Sequence, residues 1–178
     1  MNWSENRIAG LWFARTVWPL VRTRRPDARL SLVGSDPTPA VRALPAADST
    51  IEVTGTVPDV RPYLWRSAVA IAPLLSARGV QNKVLEAIAA GLPCVVTPAV
   101  QDGLPAEVIP ACRLARDAEQ FASAVVDLLG REPAERRAIA ERANVRALSW
   151  NERLAPLLGI LERAAQAPAS PFPRTDVA

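Results

Sequence analysis

A glycine, a lysine and a glutamate stand close together at Gly79, Lys83 and Glu86, between two apolar runs. Lys83 lies near the predicted start of a helix, where backbone N–H groups have no intrahelical partner. Those groups, the helix dipole and one ammonium make a site suited to phosphate, and Gly79 allows close approach to the backbone. A carboxylate one turn further on, Glu86, could accept two hydrogen bonds from a vicinal diol such as a ribose. The pattern therefore predicts a nucleotide with its diphosphate over the helix start.

The same spacing has a plainer interpretation. Lys83 and Glu86 are three residues apart, so on a helix they are neighbours that can form a solvated ion pair. Such a pair contributes only about 0.2–0.5 kcal/mol to helix stability and needs no ligand. Spacing by itself leaves both interpretations open.

These residues lie within a stretch typical of a strand–loop–helix–strand unit, residues 69–98. A strand is predicted at 69–75 and a helix at 80–90, and a second strand begins at Cys94 directly after Gly91-Leu92-Pro93. A right-handed crossover between parallel strands places the loop and the helix start at the carboxyl edge of the sheet, where ligands bind. The helix residues expected to pack on the sheet are Val80, Val84, Leu85 and Ile88.

The rest of the chain continues the alternation of strands and helices. A long helix is predicted from the start to about Arg24, kinked or ended at Pro19. Further strands are predicted at 29–33, 51–57 and 112–115, and helices at 118–129, 133–148 and 150–165. The expected fold is α/β, a Rossmann-like parallel sheet flanked by helices. Because the chain begins with a helix, the first strand is missing from this order, which suggests a truncated piece or a strand donated by a partner.

Composition indicates a globular protein with one domain, predicted at 1–166, and a disordered tail at 167–178, which carries three prolines. Of the 178 residues, 49% are hydrophobic, but no apolar run is long enough to span a membrane. Cys94 and Cys112 lie in apolar runs and are predicted to be small buried hydrophobes without a disulfide, as in a reducing cytoplasm. Histidine is absent, so no histidine triad or histidine metal site can come from this chain.

The charge balance is mildly basic, with a formal net charge of +3 and a pI near 9.5. Arginines supply nearly all the positive charge, since Lys83 is the one lysine in the sequence. Solvated faces account for most of this charge, while attraction to anionic lipid or an anionic ligand is the alternative. No nucleic-acid partner is predicted, because the basic residues have no aromatic residues interleaved at stacking spacing.

Residues 79–87, GVQNKVLEA, followed by GLPCVV at 91–96, resemble the donor-binding signature of GT-B glycosyltransferases of the GT4 type. The segments RPDARL at 25–30 and VTGTV at 53–57, and Ser149-Trp150 downstream, agree with it. The resemblance covers residues 2–165 and concerns the C-terminal, donor-binding half of a two-domain enzyme. Within the type it is most similar to sugar transferases associated with exopolysaccharide gene clusters.

The resemblance implies a role for each matching position. Glu86 would hold the donor ribose, and Lys83 would meet the diphosphate. The loop that lies along the donor phosphate and sugar would be Gly79 with the amides of Val80 and Gln81, and the turn meeting the base would be Val57 and Pro58.

One position departs from the resemblance. Many members carry a second glutamate where this chain has Arg78. Either Arg78 replaces that carboxylate and helps to stabilise the departing phosphate, or the catalytic geometry is lost. The predicted catalytic residues are therefore Lys83, Glu86 and Arg78.

The implied activity is glycosyl transfer from a UDP- or GDP-sugar in polysaccharide or glycoconjugate synthesis, with no metal or further cofactor. It is expected in the cytoplasm, with peripheral association at the inner face of the membrane as an option. The acceptor-binding half is absent from the resemblance, so a separate N-terminal half or a second copy is the expected partner. We do not expect this chain to transfer sugar at a useful rate without one. The alternative is a non-enzymatic Rossmann-like interaction module.

Overall fold

The computed structural model describes residues 3–166, which fall into two compact units divided after Val145. The predicted disordered tail at 167–178 lies outside the described residues. In the first unit the strands are β1 (Leu30–Val33), β2 (Ile51–Gly55), β3 (Ala70–Ala72), β4 (Cys94–Val96) and β5 (Cys112–Leu114). Its helices are α1 (Trp3–Trp12), α2 (Trp18–Arg24), α3 (Pro39–Arg42), α4 (Leu44–Ala47), α5 (Arg61–Trp65), α6 (Asn82–Ala89), α7 (Pro98–Gln101), α8 (Ala118–Gly130) and α9 (Pro133–Ala140).

The strands form two parallel sheets rather than one continuous sheet. One sheet has the order β1-β2 and the other β3-β4-β5. In the second sheet Cys94 of β4 lies between Ala70 of β3 and Cys112 of β5 in the register. The predicted class, an α/β protein with parallel strands flanked by helices, is confirmed, and β1 is the first strand of the described part.

Strand β4 shows how helices cover both faces of the three-stranded sheet. The Cys94 Sγ lies 4.0 Å from the Val84 carbonyl oxygen of α6. The next residue, Val95, instead belongs to the buried cluster that contains Phe121 and Leu128 of α8. Because successive strand side chains point to opposite faces, α6 and α8 lie on opposite sides of the sheet.

The core lies between the N-terminal helices and α8. The Phe121 ring meets Phe13 edge-on, with centroids 5.5 Å apart, and meets Trp12 in the same manner at 6.2 Å. Val17, Val21 and Phe121 are inaccessible to solvent. This packing holds the N-terminal helices against α8.

The N-terminal helix does not end at Pro19. A five-residue π-helix, Phe13–Val17, joins α1 to α2, and Pro19 stands in the first turn of α2. Proline lacks an N–H group and its ring crowds the preceding turn, so a locally widened helix is a way to keep the chain helical. The extra residue changes the face that α1 presents. Ile8 of α1 is 57% exposed.

Two predicted helix boundaries are wrong. The helix expected at 80–90 begins at Asn82, which leaves Val80 48% exposed instead of packed on the sheet. The helix expected at 133–148 ends at Ala140, and the Asn144 amide then donates to the Glu107 carbonyl oxygen at 2.8 Å. In both places, residues predicted to be helical belong to a loop instead.

The second unit contains one long helix, α10 (Trp150–Gln166), with Pro156 inside it. Several of its apolar side chains are exposed, including Leu157 at 45% and Leu158 at 63%. Among the helices of residues 3–166, none combines the length and apolar character that crossing a membrane requires.

The two cysteines are free thiols in different surroundings. Cys94 is buried, as predicted, and burial raises the pKa of its thiol far above the ordinary value. Cys112 is half-buried, and burial raises the pKa of this thiol to about 11. Neither thiol is activated as a nucleophile near neutral pH.

Replacing Phe121 tests the packing of the N-terminal helices on α8. Phe121→Ala should lower the free energy of unfolding by about 3–5 kcal/mol, because it removes a fully buried ring and leaves a cavity. Phe121→Leu keeps most of the apolar volume and should cost less than half as much. Urea unfolding followed by circular dichroism measures both. Equal, small losses from the two variants would show that this cluster is not the core.

Candidate functional site

Two glycines shape the chain on either side of α6. Gly79 has φ +65°, in the left-handed region that favours glycine, and so does Gly91, with φ +86°, just after α6. Gly91 ends the helix and returns the chain directly into β4. Gly79 lies in the loop that joins the carboxyl end of β3 to the start of α6, where the crossover rule predicts a ligand-binding loop.

The start of α6 has no side-chain cap. Gln81, at the N-cap position, is extended and accepts no hydrogen bond from the helix. Its Nε2 instead donates to the carbonyl oxygens of Arg78 and Gly79, at 3.4 Å each. The Val84 N–H donates to the Gln81 carbonyl oxygen at 2.9 Å, but no side chain caps the turn. The earlier N–H groups, of Asn82 and Lys83, and the positive end of the helix dipole are therefore suited to an anion.

Lys83 reaches from the first turn of α6 to the N-terminal helix. Its ammonium donates a hydrogen bond to the Asn6 Oδ1 of α1. The residue as a whole is exposed, yet the protein around the ammonium removes part of its hydration and lowers the pKa of Lys83. A bound anion would restore favourable electrostatics for this group.

Glu86 lies one turn further along α6 and is exposed. Within residues 3–166 its carboxylate forms no ion pair, and in particular none with Lys83. The plainer interpretation, a solvated pair between the two, is therefore not what the structure contains. Both residues line the same cleft.

Arg7 is a second cation at this place. Its Nη2 donates to the Asp36 carbonyl oxygen at 3.3 Å, just after β1. Its Nε is buried and has no hydrogen-bond partner among the described residues. A buried donor without a partner is costly, so this group is suited to an incoming acceptor. Local sequence pattern carried no signal for Arg7 or Asn6, because their partners are distant along the chain.

Lys83, Glu86, Asn6 and Arg7 line one cleft, which has a volume of about 1010 Å³. Polar and apolar side chains both line this cleft. The structure thus brings together two of the predicted site residues and adds two others. The remaining predicted residues, Arg78, Gly79, Val80 and Gln81 on the adjoining loop and Val57 and Pro58 after β2, do not line this cleft.

The loop that precedes α6 contacts the loop that follows α7. A Cβ placed on Gly103 would lie only 2.4 Å from the Gly79 carbonyl oxygen. The two loops therefore touch through backbone atoms and leave no room for a side chain. Beside them, the Thr97 hydroxyl donates to the Leu74 carbonyl oxygen and ties the end of β3 to the start of α7.

At the carboxyl edge of these parallel strands lie a glycine-containing loop and the first turn of a helix that carries a cation. This arrangement is typical of α/β proteins that bind ligands at that edge. The family model of the group 1 glycosyl transferases matches residues 2–131 of the chain. The chain belongs to this family, and its general chemistry is glycosyl transfer. The predicted glycosyltransferase membership is confirmed. A search of curated proteins finds no match.

Substituting Gly103 tests the contact between the two loops. Gly103→Ala should destabilise the protein by about 1–3 kcal/mol, because a backbone atom rather than a flexible side chain must move. The matched control is Gly130→Ala, at the end of α8, where an added Cβ meets nothing within 4 Å. Thermal and urea unfolding compare the two. The contact would be unimportant if both variants unfolded like the unmodified protein.

The lowered pKa of Lys83 can be measured directly, because this side chain carries the only lysine amine in the sequence. Reductive methylation with ¹³C-formaldehyde should give two NMR signals, from Lys83 and from the chain's α-amine. We expect the Lys83 signal to titrate below the ordinary lysine value of 10.5. In the folded protein the ammonium is therefore lost at a lower pH than in the unfolded chain. Titration at or above the ordinary value in folded protein would contradict the desolvation.

Proposed function

We propose that this chain is the donor-binding half of a glycosyltransferase that uses a UDP- or GDP-sugar. One observation carries the proposal: Lys83 and Glu86, not paired with each other, line the same cleft beside the uncapped start of α6. Membership of the group 1 glycosyl transferases supports it. The finer expectation, a GT4-type transferase of exopolysaccharide synthesis, is part of the proposal.

The donor diphosphate would lie over the first turn of α6. Its charge would meet the Lys83 ammonium, which Asn6 already holds in place, and the free Nε of Arg7. During transfer the bond between the anomeric carbon and the diphosphate oxygen breaks, and its electron pair stays on that oxygen. The acceptor oxygen bonds to the same carbon and gives up its proton. Fixed cations stabilise the charge that grows on the leaving group.

Glu86 would accept hydrogen bonds from the two ribose hydroxyls. Its carboxylate is suited to this role because it is exposed and has no partner among the described residues. The loop of Gly79, Val80 and Gln81 would lie along the phosphate and sugar. Arg78 is exposed on the same loop and would help to stabilise the charge on the departing phosphate.

The base would rest against the turn after β2, at Val57 and Pro58. Pro58 is exposed and Val57 half-buried, and an apolar turn of this kind can stack on a flat ring. An acceptor-binding half, in a separate region or a second copy, would complete the active site. The reaction would run in the cytoplasm or at the inner face of the membrane, without a metal.

Titration calorimetry with UDP and GDP tests donor binding. Lys83→Gln and Glu86→Gln should each weaken binding of the preferred nucleotide about 10- to 100-fold, as expected for a lost hydrogen bond to a charged group. Glu141→Gln is the matched control, because Glu141 is also exposed and does not line the cleft. It should leave the affinity unchanged.

The pH dependence of the same titration has a defined sign. The diphosphate needs Lys83 protonated, so affinity should fall as pH rises through the lowered pKa of Lys83. In Lys83→Arg this fall should disappear. Absence of any heat at millimolar nucleotide, with folded protein, would favour the alternative of a non-enzymatic interaction module.

A further inference from the structure

A second, smaller cleft lies at the amino edge of the three-stranded sheet. Ser67 and Ala68 line it just before β3, and Gly91 and Leu92 line it just before β4. Because β3 and β4 are parallel, this edge is opposite to the one that carries the loop preceding α6. Ser67 and Leu92 also line the larger cleft, but Lys83 and the other predicted site residues do not line this one. We call it the amino-edge cleft.

An exposed tryptophan lines the amino-edge cleft. Trp65, the last residue of α5, is 67% exposed. The neighbouring Arg66 is engaged elsewhere, since its guanidinium stacks on Tyr63 at 4.2 Å and pairs with Glu52 at 2.7 Å. An indole is an apolar plane with one N–H donor at its edge. This part of the cleft is therefore suited to a ligand that has a flat apolar face.

Two arginines of α9 line the same cleft. Pro133, Arg136 and Arg137 stand at positions i, i+3 and i+4, so they share one face of the helix. The start of α9 is fixed by a capping box, in which the Glu132 amide donates to the Glu135 carboxylate at 3.0 Å. The two guanidiniums are thus carried by a helix with a defined start rather than by a loop.

Arg136 is a cation without a counter-ion. It is half-buried, and its Nη1 donates to the Arg131 carbonyl oxygen. Within residues 3–166 Arg136 forms no ion pair, whereas the Arg137 Nε lies 3.5 Å from the Glu141 carboxylate. A guanidinium binds a carboxylate strongly, because its planar array of N–H groups matches the two oxygens. The cleft therefore offers one uncompensated positive charge to a ligand.

The end of α6 limits the negative charge that this ligand can carry. Ala90 and Gly91 follow the last residue of α6 and line the cleft, so the negative end of the helix dipole, about half an elementary charge, lies there. A single carboxylate is therefore favoured over a doubly charged phosphate.

The cleft also contains hydrogen-bond acceptors. In the described part of the chain the Ala90 carbonyl oxygen accepts no backbone hydrogen bond outside the helices. The Ser67 hydroxyl donates to the Tyr63 carbonyl oxygen at 2.7 Å, so its own oxygen can only accept a further bond. A ligand with hydroxyl groups besides its carboxylate would satisfy both acceptors.

We infer that the amino-edge cleft binds a hexuronate, a sugar ring that carries one carboxylate, either free or as a residue of an acidic glycan. The C–H face of the ring would stack on Trp65, the carboxylate would bind Arg136, and hydroxyls would donate to Ala90 and Ser67. The cleft has a volume of about 260 Å³. Sites for drug-sized ligands begin at about 300 Å³, so one ring fits better than a nucleotide.

This inference goes beyond the proposed donor site and does not depend on it. The chain belongs to a family whose general chemistry is glycosyl transfer. At the edge opposite the loop that precedes α6, a hexuronate site would hold an acidic glycan away from the point of transfer.

Simpler anions satisfy the cleft less completely. An aromatic carboxylate such as benzoate would stack on Trp65 and bind Arg136, but it has no hydroxyl for the two acceptors. Inorganic phosphate has no apolar face for the indole, and its second negative charge would lie near the end of α6. A purely structural role, in which the arginines only compensate the helix dipole, predicts no sugar binding at all.

A panel of small ligands tests the inference by NMR. The probe is methyl β-D-glucuronide, and its neutral match is methyl β-D-glucoside. The indole N–H signal of Trp65, identified by its loss in Trp65→Ala, should shift saturably with the glucuronide. The glucoside, benzoate and phosphate should each bind at least about tenfold more weakly. No saturable shift, or an equal affinity for any of these three, would overturn the inference.

A glucuronate tetrasaccharide distinguishes the two sources of the sugar. Affinity equal to or above that of the methyl glucuronide would assign the site to a residue within a glycan chain. Binding of the monosaccharide alone would assign it to the free sugar.

Matched variants locate the binding by titration calorimetry. Trp65→Ala should weaken glucuronide binding at least about tenfold, whereas Trp150→Ala, at an exposed tryptophan that does not line the cleft, should not change it. Arg136→Gln should weaken it about 10- to 100-fold, and Arg142→Gln, at an exposed arginine outside the cleft, should not. Because Trp65 is exposed, its variant should fold and decides the question even if Arg136→Gln does not fold. Unchanged affinity in Trp65→Ala would overturn the inference.

Two further measurements separate this site from the proposed donor site. Lys83→Gln should leave glucuronide affinity unchanged, and UDP should not compete with the glucuronide. Loss of glucuronide binding in Lys83→Gln, with binding retained in Trp65→Ala, would place the sugar in the larger cleft and overturn the inference. Failure of UDP and GDP to bind, with glucuronide binding intact, would count against the proposed donor function only.

Discussion

The burial of β4 on both faces is the constraint on which the rest of the first unit depends. Its three residues, Cys94 to Val96, are at most 1% exposed. Each face therefore needs a helix, and α6 meets this need with Val84, Ala87 and Ile88. On a helix with that buried stripe, Lys83 and Glu86 must lie on the outer side. The direction of the two candidate site residues is thus a consequence of how the neighbouring strand is packed.

Much of this arrangement could be predicted from the sequence, because local patterns of apolar residues indicate it. Apolar runs bounded by glycine or proline located the strands, and the 3.6-residue stripe located α6 and α8. The errors are at boundaries. Gly79 in the left-handed region and Gln81 in an extended conformation continue the loop to the first turn of α6, so Val80 never joins the helix. No apolar pattern distinguishes such a loop from a helical turn.

The rest of the site could not be predicted, because its contacts are distant in sequence. Asn6 meets Lys83 across 77 positions, and Arg7 meets Asp36 across 29. Both residues occupy ordinary polar positions of α1, so only the packed fold shows that they reach the end of the strands. The division of the expected single sheet into two was also not foreseen, since periodicity identifies strands but not which edges pair.

The π-helix at Phe13–Val17 determines how α1 is rotated about the helix axis relative to α2. Residues after it, such as Val21, face the core, while Asn6 before it faces the cleft. Each residue in a helix turns the chain by about 100°. Shortening the π-helix by one residue would rotate α1 by that amount relative to α2 and swing the amide of Asn6 away from the lysine it holds. A single-residue deletion far from the α6 loop would thereby act as a mutation of the site itself.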